Sequence, residues 1–344
     1  MKKELLVYKI GTAGITNKQG LIDIKVLQEI VRQLALLHKN YNILIVSSGA
    51  VGTGKKFIKD YSGKIEERKA AAAIGNPILI QKYANAFAKY DIAIAQSLCE
   101  REHFSNRKKF LQLRSTYEEL WQNNIIPIAN ENDVVSSYEL KFSDNDELAT
   151  LLAIGLNASN LLIATSVDGV LDAENNVVST ITKFDQSILS LARKDKTNVG
   201  LGGMLSKLTF AKLASSLGIQ VNIFSAKKEN SILDALENKI GTFIQAKVVA
   251  QSARQKWLAS GSNVIGSVEI DNGAKSALLK RKSLLAVGVR NILHHFGNGE
   301  AFEIVDDDGH VVAVAKSKIG SKQLTDTSSK QNIILAHADE IVLL

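Results

Sequence analysis

The chain has 344 residues and a net charge of +7, with 45% hydrophobic and 22% charged residues. At roughly 100–200 residues per domain, that length predicts two domains of ordinary globular composition. Cys99 is the only cysteine, which excludes an internal disulfide or a cysteine-rich metal site and fits a reducing cytoplasm; no run approaches the ~20 apolar residues of a membrane helix.

Residues 1–12 begin with two lysines, as a signal peptide does. Glu4 and Lys9 then leave too short an apolar run for an h-region. Residues 5–10 read instead as a buried first strand. A helix follows over 21–37, where Leu27, Ile30, Val31 and Leu34 recur at helical spacing, then a β-branched strand over 43–46. The alternation continues with a helix near 66–88, a strand at 92–96, a helix near 106–123 and a strand at 126–129. A helix near 145–156 and a strand at 161–165 come next. Asp168-Gly169 marks a turn with a short hairpin behind it. A helix near 204–217 and a strand at 220–224 close the series. Such alternation predicts an α/β fold over residues 1–250, a mainly parallel sheet sandwiched by helices. Ligands of such sheets sit in the crevice beyond the carboxyl ends of the strands.

The texture changes after about residue 250. Strand-like runs at 264–270, 284–289, 301–305 and 311–315 are broken by glycines, and Asp308-Gly309 has hairpin character. They predict a small, mostly β domain over 251–344. That stretch holds 11 Lys and Arg against 10 Asp and Glu, a net of +1, which leaves 31 against 25, or +6, for the rest. The excess suits an anionic small substrate such as a nucleotide, and equally a soluble, mildly basic surface.

Four polar or glycine-rich segments follow apolar runs. Lys9-Ile10-Gly11-Thr12 sets a fixed charge beside a glycine where backbone can approach a ligand closely; it also reads as a strand-end lysine before a turn. The second segment, 47–56, nears the P-loop pattern through Gly49, Gly54 and Lys55, but Lys56 stands where magnesium needs a hydroxyl. Its serine hydroxyls and backbone N–H groups could instead hold another anion, such as a substrate carboxylate, or form a surface loop. The third joins Asn130-Glu131-Asn132-Asp133 to Ser143-Asp144-Asn145-Asp146. These groups suit an amino acid's ammonium and carboxylate, or Mg²⁺. Asp144 reads best as an acidic cap on the next helix. The fourth, 200–207, runs glycines into a helix start, whose free N–H groups and Lys207 suit a phosphate; it also reads as a linker with a solvated lysine. The six histidines include His294-His295, without a matching acidic or cysteine partner; they read as surface or structural, with metal binding as the lesser alternative.

Together these segments resemble the glutamate 5-kinases of the amino acid kinase family. The motifs are KIGT at 9–12, SSGA at 47–50, KAAAAIGN at 69–76, NEND at 130–133, ELKFSDND at 139–146 and GGMLSKL at 202–208. VEIDNGAKSALL at 268–279 and GNGE at 297–300 resemble the PUA domain that many of these kinases carry. The likeness spans nearly the whole chain, and NEND with ELKF-x-DND is its most specific part.

The resemblance implies an ATP-dependent enzyme, with Mg²⁺, that phosphorylates the side-chain carboxylate of L-glutamate to glutamyl 5-phosphate, the first step towards proline. Lys9 and Lys207 match the phosphate-clamping lysines, and Asp146 the aspartate that positions them. Ser48, Asp133 and Asn145 match glutamate-binding residues. Leu201, Gly202, Gly203, Met204, Leu205, Ser206 and Lys207 match the nucleotide-phosphate loop; Thr165-Ser166 lies where the nucleotide is also contacted. Feedback by proline, coupling to a glutamyl phosphate reductase, a homo-oligomer and a cytoplasmic location are implied with it, and neither a membrane nor a nucleic acid as partner. The chemistry agrees. A glutamate side chain has a pKa near ~4.3, so the nucleophile is already ionised and needs no general base. The obstacle is repulsion between carboxylate and polyanion, which two lysines and Mg²⁺ offset.

The chain departs from the family's usual pattern in its nucleotide loops. Thr165-Ser166 stands for Thr-Asp, and Leu201 and Leu205 replace hydroxyl residues. Gln112 and Asn76 replace a usual asparagine and glutamine. Nucleotide affinity or base preference is where these changes should tell. Three other readings compete: an amino acid kinase with a different acceptor, an RNA-binding PUA protein, against which the near-neutral tail argues, and a P-loop NTPase, in which Lys55 would be essential.

Overall fold

β1 (Glu4–Ile10) is buried from Leu5 to Ile10 and lies inside an eight-stranded sheet. β2 (Tyr41–Ser47), β3 (Ile94–Cys99), β4 (Ile126–Glu131), β5 (Asn160–Thr165), β6 (Thr180–Ile181), β7 (Gln220–Ser225) and β8 (Thr242–Ile244) complete it. The order is β3-β4-β2-β1-β5-β7-β8-β6. From β3 to β7 every neighbouring pair is parallel; β8 turns antiparallel to β7, and β6 runs parallel to β8. Strands covered on both faces need apolar residues on both, which is why β1, β2 and β5 read as continuous apolar runs.

The computed structural model describes residues 3–17, 19–135, 144–184, 188, 203–247, 264–326 and 333–343. The chain divides into two compact units, 1–248 and 249–344.

In the first unit, side chains of β1 alternate between two layers. Leu6, Tyr8 and Ile10 join a core with Leu27, Val31 and Leu34 of the helix Ile24–Leu37 and with Leu79, Tyr83 and Phe87 of the helix Ile65–Phe87. Lys9 therefore points to the opposite layer, where the helix Asn145–Leu156 lies. That helix is buried at every residue from Asp146 to Leu156. A helix with no solvent face can carry charge only at its end, and its acidic residues, Asp146 and Glu147, stand in the first turn.

Local chemistry sets the boundaries. The first long helix begins at Ile24, not at 21, because Asp23 accepts from Lys25 N and Val26 N and caps it there. Two segments read as loops are short helices, Thr12–Ile15 and Ala50–Gly54. The second crosses the helix Ile65–Phe87 at backbone contact. A Cβ on Gly54 would lie 1.9 Å from the Ala71 carbonyl oxygen, and one on Gly75 1.8 Å from that of Ala50. Gly54 thus serves packing, which removes the basis for a P-loop here.

The second unit is described by itself. β9 (Val264–Ile270), β10 (Leu284–Leu285), β11 (Val289–His294), β12 (Ala301–Val305), β13 (Val311–Lys316), β14 (Ile334–Ala336) and β15 (Ile341–Leu343) form a five-stranded sheet, β11-β9-β12-β13-β15, and the pair β10-β14. Gly309, at φ +78°, turns the β12–β13 hairpin. The strand expected over 284–289 is broken by a 3₁₀ turn at Ala286–Gly288. Gly288 packs there against Ala274 of the helix Asn272–Leu279, where a Cβ would meet that of Ala274 at 2.6 Å. Phe296 and Phe302 stack at 4.4 Å within the core of this unit. No helix among the described residues is long and apolar enough to cross a membrane.

Candidate active site

The carboxyl ends of β1, β2, β4 and β5 converge on the start of the helix Asn145–Leu156. Asp144 caps that helix, its Oδ1 accepting from Asp146 N at 2.8 Å and Glu147 N at 3.1 Å. The cap fixes the first turn, and with it Asn145 and Asp146.

Asp146 is fully buried. Lys9 Nζ from β1 reaches its Oδ1 at 2.5 Å, and Lys207 Nζ from the helix Met204–Ser216 reaches its Oδ2 at 3.1 Å. Both lysines are themselves nearly buried, 4% and 7% exposed, so each charge has been taken from water and relies on its partner. Burial works to raise the Asp146 carboxyl. The two ammonium groups outweigh it and hold the group below the usual carboxylate range. One carboxylate with two ammonium groups carries a local charge of +1, which suits a binding place for phosphate.

A neutral polar cluster lies beside this triad. Asn145 Nδ2 donates to Ser48 Oγ at 2.9 Å and to Asn130 Oδ1 at 3.0 Å. Asn130 Nδ2 in turn donates to Asn76 Oδ1 at 3.0 Å. Among the described residues, Asn145 Oδ1 is buried and has no hydrogen-bond partner. An acceptor in that state costs free energy until a donor arrives, and a substrate ammonium is such a donor. Ser48 is placed by the left-handed turn at Gly49, φ +110°, and by its own N–H, which donates to Ile10 O at 3.1 Å.

The expected phosphate side falls at the start of the helix Met204–Ser216. Its N-cap is Gly203, with no side-chain cap and nothing within 4 Å of a Cβ placed there. Open first-turn N–H groups followed by Lys207 fit an anion. Met204 is buried, Leu205 is exposed, and Ser206 Oγ donates to Asp144 Oδ2 at 2.7 Å. Thr165 ends β5 against the short helix Thr12–Ile15, where the Gly11 N–H bonds Ala164 O, and Ser166 beyond it is exposed. Asp133 is half-buried in the turn after β4. Leu201 and Gly202, with residues 139–143 of the ELKFS segment, lie outside the described residues.

A model described as the amino acid kinase family matches residues 4–225. The chain belongs to the amino acid kinase family. A PUA domain model matches residues 266–337 of the second unit. Similar over almost the full length are proteins named glutamate 5-kinase. That of Haemophilus influenzae (strain PittGG) is 35% identical over 94% of this chain and 91% of its own. That of Kosmotoga olearia is 35% identical over 98% of each, and that of Bacillus cereus (strain B4264) 34% over 96% and 94%. Among solved structures, UMP kinase from Ureaplasma parvum aligns with a TM-score of 0.50, at 18% identity, over 71% of this chain and all of that one. Carbamate kinase from Giardia lamblia aligns at 0.52, also at 18% identity, over 71% and 99%. These two share the fold of the kinase unit.

Some features of the kinase site had no mark in the sequence. Asn76 sits mid-helix, and only the fold brings it to Asn130. Arg101, on the short helix Arg101–Ser105, pairs with the buried Glu147 next to Asp146. Arg101 lies in a segment whose polarity alone reads as surface, and Asn76, marked in the sequence only as a departure from the family pattern, lies in an apolar run.

Proposed function

We propose that this kinase transfers the γ-phosphoryl group of ATP to the side-chain carboxylate of L-glutamate, giving glutamyl 5-phosphate for proline synthesis. The observation that carries the reading is the adjacency of two unlike sites. A Lys9–Asp146–Lys207 triad faces the polyanion, and the Ser48–Asn145–Asn130 cluster beside it offers neutral hydrogen-bonding groups suited to an amino acid. The full-length likeness to proteins named glutamate 5-kinase supports glutamate over carbamate or a nucleotide as acceptor.

In this mechanism a carboxylate oxygen of glutamate attacks the γ-phosphorus in line. The bond from that phosphorus to the β–γ bridging oxygen breaks, and ADP leaves with the electron pair. No proton moves, so no general base is required, and no histidine stands among the residues just described. Lys9 and Lys207 stabilise the charge spread over the transferring oxygens. Asp146 holds both ammonium groups in place without itself touching the phosphoryl group. Ser48, Asp133 and Asn145 hold glutamate. Residues 201–207, with Thr165 and Ser166, hold the nucleotide.

Mg²⁺ would neutralise the β- and γ-phosphates. Among the described residues, the only group of three or more His, Cys, Asp or Glu side chains close enough to share a metal is Asp306, Asp308 and His310 in the second unit. A Mg²⁺ that arrives on the nucleotide keeps several waters and is bound mainly through phosphate oxygens, so it needs few protein ligands.

The product is a reactive acyl phosphate. That calls for a reductase to consume it promptly, and feedback by proline, self-association and a cytoplasmic location complete the proposal.

The test is ATP consumption with glutamate in the presence of hydroxylamine. Hydroxamate from glutamate, and not from aspartate, acetylglutamate, carbamate or UMP, is the expected result. Turnover with another of these acceptors alone would replace glutamate.

A further inference from the structure

Ser206 occupies the first turn of the helix Met204–Ser216, but its hydroxyl does not cap that helix. It donates across to Asp144 Oδ2 at 2.7 Å. The other oxygen of the same carboxylate holds Asp146 N and Glu147 N. One side chain therefore bridges the starts of two helices. Next to the bridge on one side is Lys207; on the other are Asn145 and Asp146.

The Lys207–Asp146 and Ser206–Asp144 contacts both join these helices, and they differ in kind. Lys207–Asp146 is an ion pair between groups of the phosphate site. Its ammonium must also serve the transferring phosphoryl group, so that contact is shared during turnover. Ser206–Asp144 involves no group that meets the phosphate through its side chain. A hydroxyl donating to a carboxylate is short and strong, and it can persist while Lys207 follows the reaction. Gly203, the N-cap, contributes no side-chain contact of its own to fix this helix end.

We propose that Ser206 is a positioning residue whose hydroxyl, through Asp144, locks the phosphate-side helix onto the acceptor-side helix and so sets the gap between phosphoryl group and carboxylate. The inference rests on reading this site as the place of phosphoryl transfer to glutamate. A misplacement of about 1 Å can cost on the order of 10²-fold in rate, so a lock of this kind acts on kcat. It also has a signature in pH. Asp144 is pushed up by burial and then by the charge of Asp146 on its own helix; the Ser206 hydroxyl, Lys9 from β1 and Lys207 pull it down. Losing the hydroxyl removes one of the downward pulls, so Asp144 protonates at higher pH.

The experiment compares wild type, Ser206→Ala and Ser206→Thr in the hydroxylamine assay, across pH, with circular dichroism to confirm the fold. Wild type must first form hydroxamate from glutamate; if it does not, the functional reading itself fails. With wild type active, Ser206→Ala should lower kcat about tenfold, change both KM values less than about threefold, and move the acid limb of the kcat profile to higher pH. Ser206→Thr, which keeps the hydroxyl, should restore rate and profile. Wild-type kcat and profile in Ser206→Ala would overturn the lock. A raised ATP KM alone would overturn it too, by showing that the Ser206 hydroxyl, and not only the backbone of 201–207, holds the nucleotide, as would a folded Ser206→Thr that fails to restore.

Discussion

Asn145 Nδ2 donates to Ser48 Oγ at 2.9 Å, which ties the start of a buried helix to the turn after β2. The bond uses the amide's donor and leaves its oxygen buried without a partner among the described residues. Asn145→Ala and Asp133→Ala should therefore act chiefly on glutamate KM. An unpaired buried polar partner costs about 1–3 kcal/mol, or roughly 5–150-fold in affinity. Calorimetry checks this directly, and normal glutamate binding in both variants would place the pocket elsewhere.

Lys9→Met and Lys207→Met should each lower kcat by orders of magnitude with a modest change in glutamate KM, because charge acting mainly in the transition state shows in kcat. Steady-state kinetics with both substrates varied decides it. Near-normal turnover in Lys207→Met would remove the clamp from the mechanism.

The same triad makes the chain's stability depend on pH. Asp146 is lowered in the folded state, so its pairing contributes above the unfolded carboxyl range near ~3.9 and is lost as pH falls through the lowered folded value. In Lys9→Met the burial that raises Asp146 meets one ammonium instead of two. The acid-induced fall in melting temperature should then begin at higher pH than in wild type. Breaking a buried pair also costs about 3–5 kcal/mol near neutrality. An unchanged melting curve from neutral to acid pH would show that the pair contributes nothing.

Much of the fold of both units was legible because burial imposes period. The helix Asn145–Leu156 and the strand Val264–Ile270 fall on the residues that apolar spacing marks. The Asp144 cap was legible too, since an aspartate before an apolar helical run has few other uses. The short helices Thr12–Ile15 and Ala50–Gly54 were not, because glycines that allow close packing look like glycines that make loops. The strands Ile334–Ala336 and Ile341–Leu343 are too short to show a period. The Lys9–Asp146–Lys207 grouping came from family likeness; nothing in the local sequence pairs residues on β1 with two distant helices. Asn76–Asn130 and Ser206–Asp144 needed the fold itself.

Gly75→Ala tests that packing. The added Cβ meets the backbone oxygen of Ala50 at 1.8 Å, and neither helix can yield at a side chain. Overpacking of this sort costs about 1–3 kcal/mol. Asn76 follows Gly75, and Ala50 follows the Ser48-Gly49 turn, so glutamate KM should rise with the fall in melting temperature. A variant with both quantities unchanged would mean that the two helices separate freely.

Removing residues 251–344 should leave a folded kinase with measurable activity. Every proposed site residue precedes the cut, and the cores around Tyr8 and around Phe302 are separate clusters. Sedimentation, circular dichroism and the hydroxamate assay on the truncated chain check it. A soluble, folded and inactive product would show that the second domain completes the site or its assembly.

The nucleotide loops carry the last prediction. Ser166 and Leu205 are exposed, and with Leu201 they stand where the resemblance to the glutamate 5-kinases implies hydroxyl or carboxylate groups. A lost hydrogen bond costs about 0.5–1.5 kcal/mol net, and one to a charged group about 1.5–3 kcal/mol. ATP binding should therefore be weak, or the choice between ATP and GTP relaxed, while phosphoryl transfer persists through Lys9, Asp146 and Lys207. Leu201→Thr combined with Ser166→Asp should tighten ATP binding and leave kcat little changed. If the ATP KM and the ATP/GTP preference both stay where they were, backbone N–H groups at the start of Met204–Ser216 make the contacts that matter. The side-chain changes would then be silent.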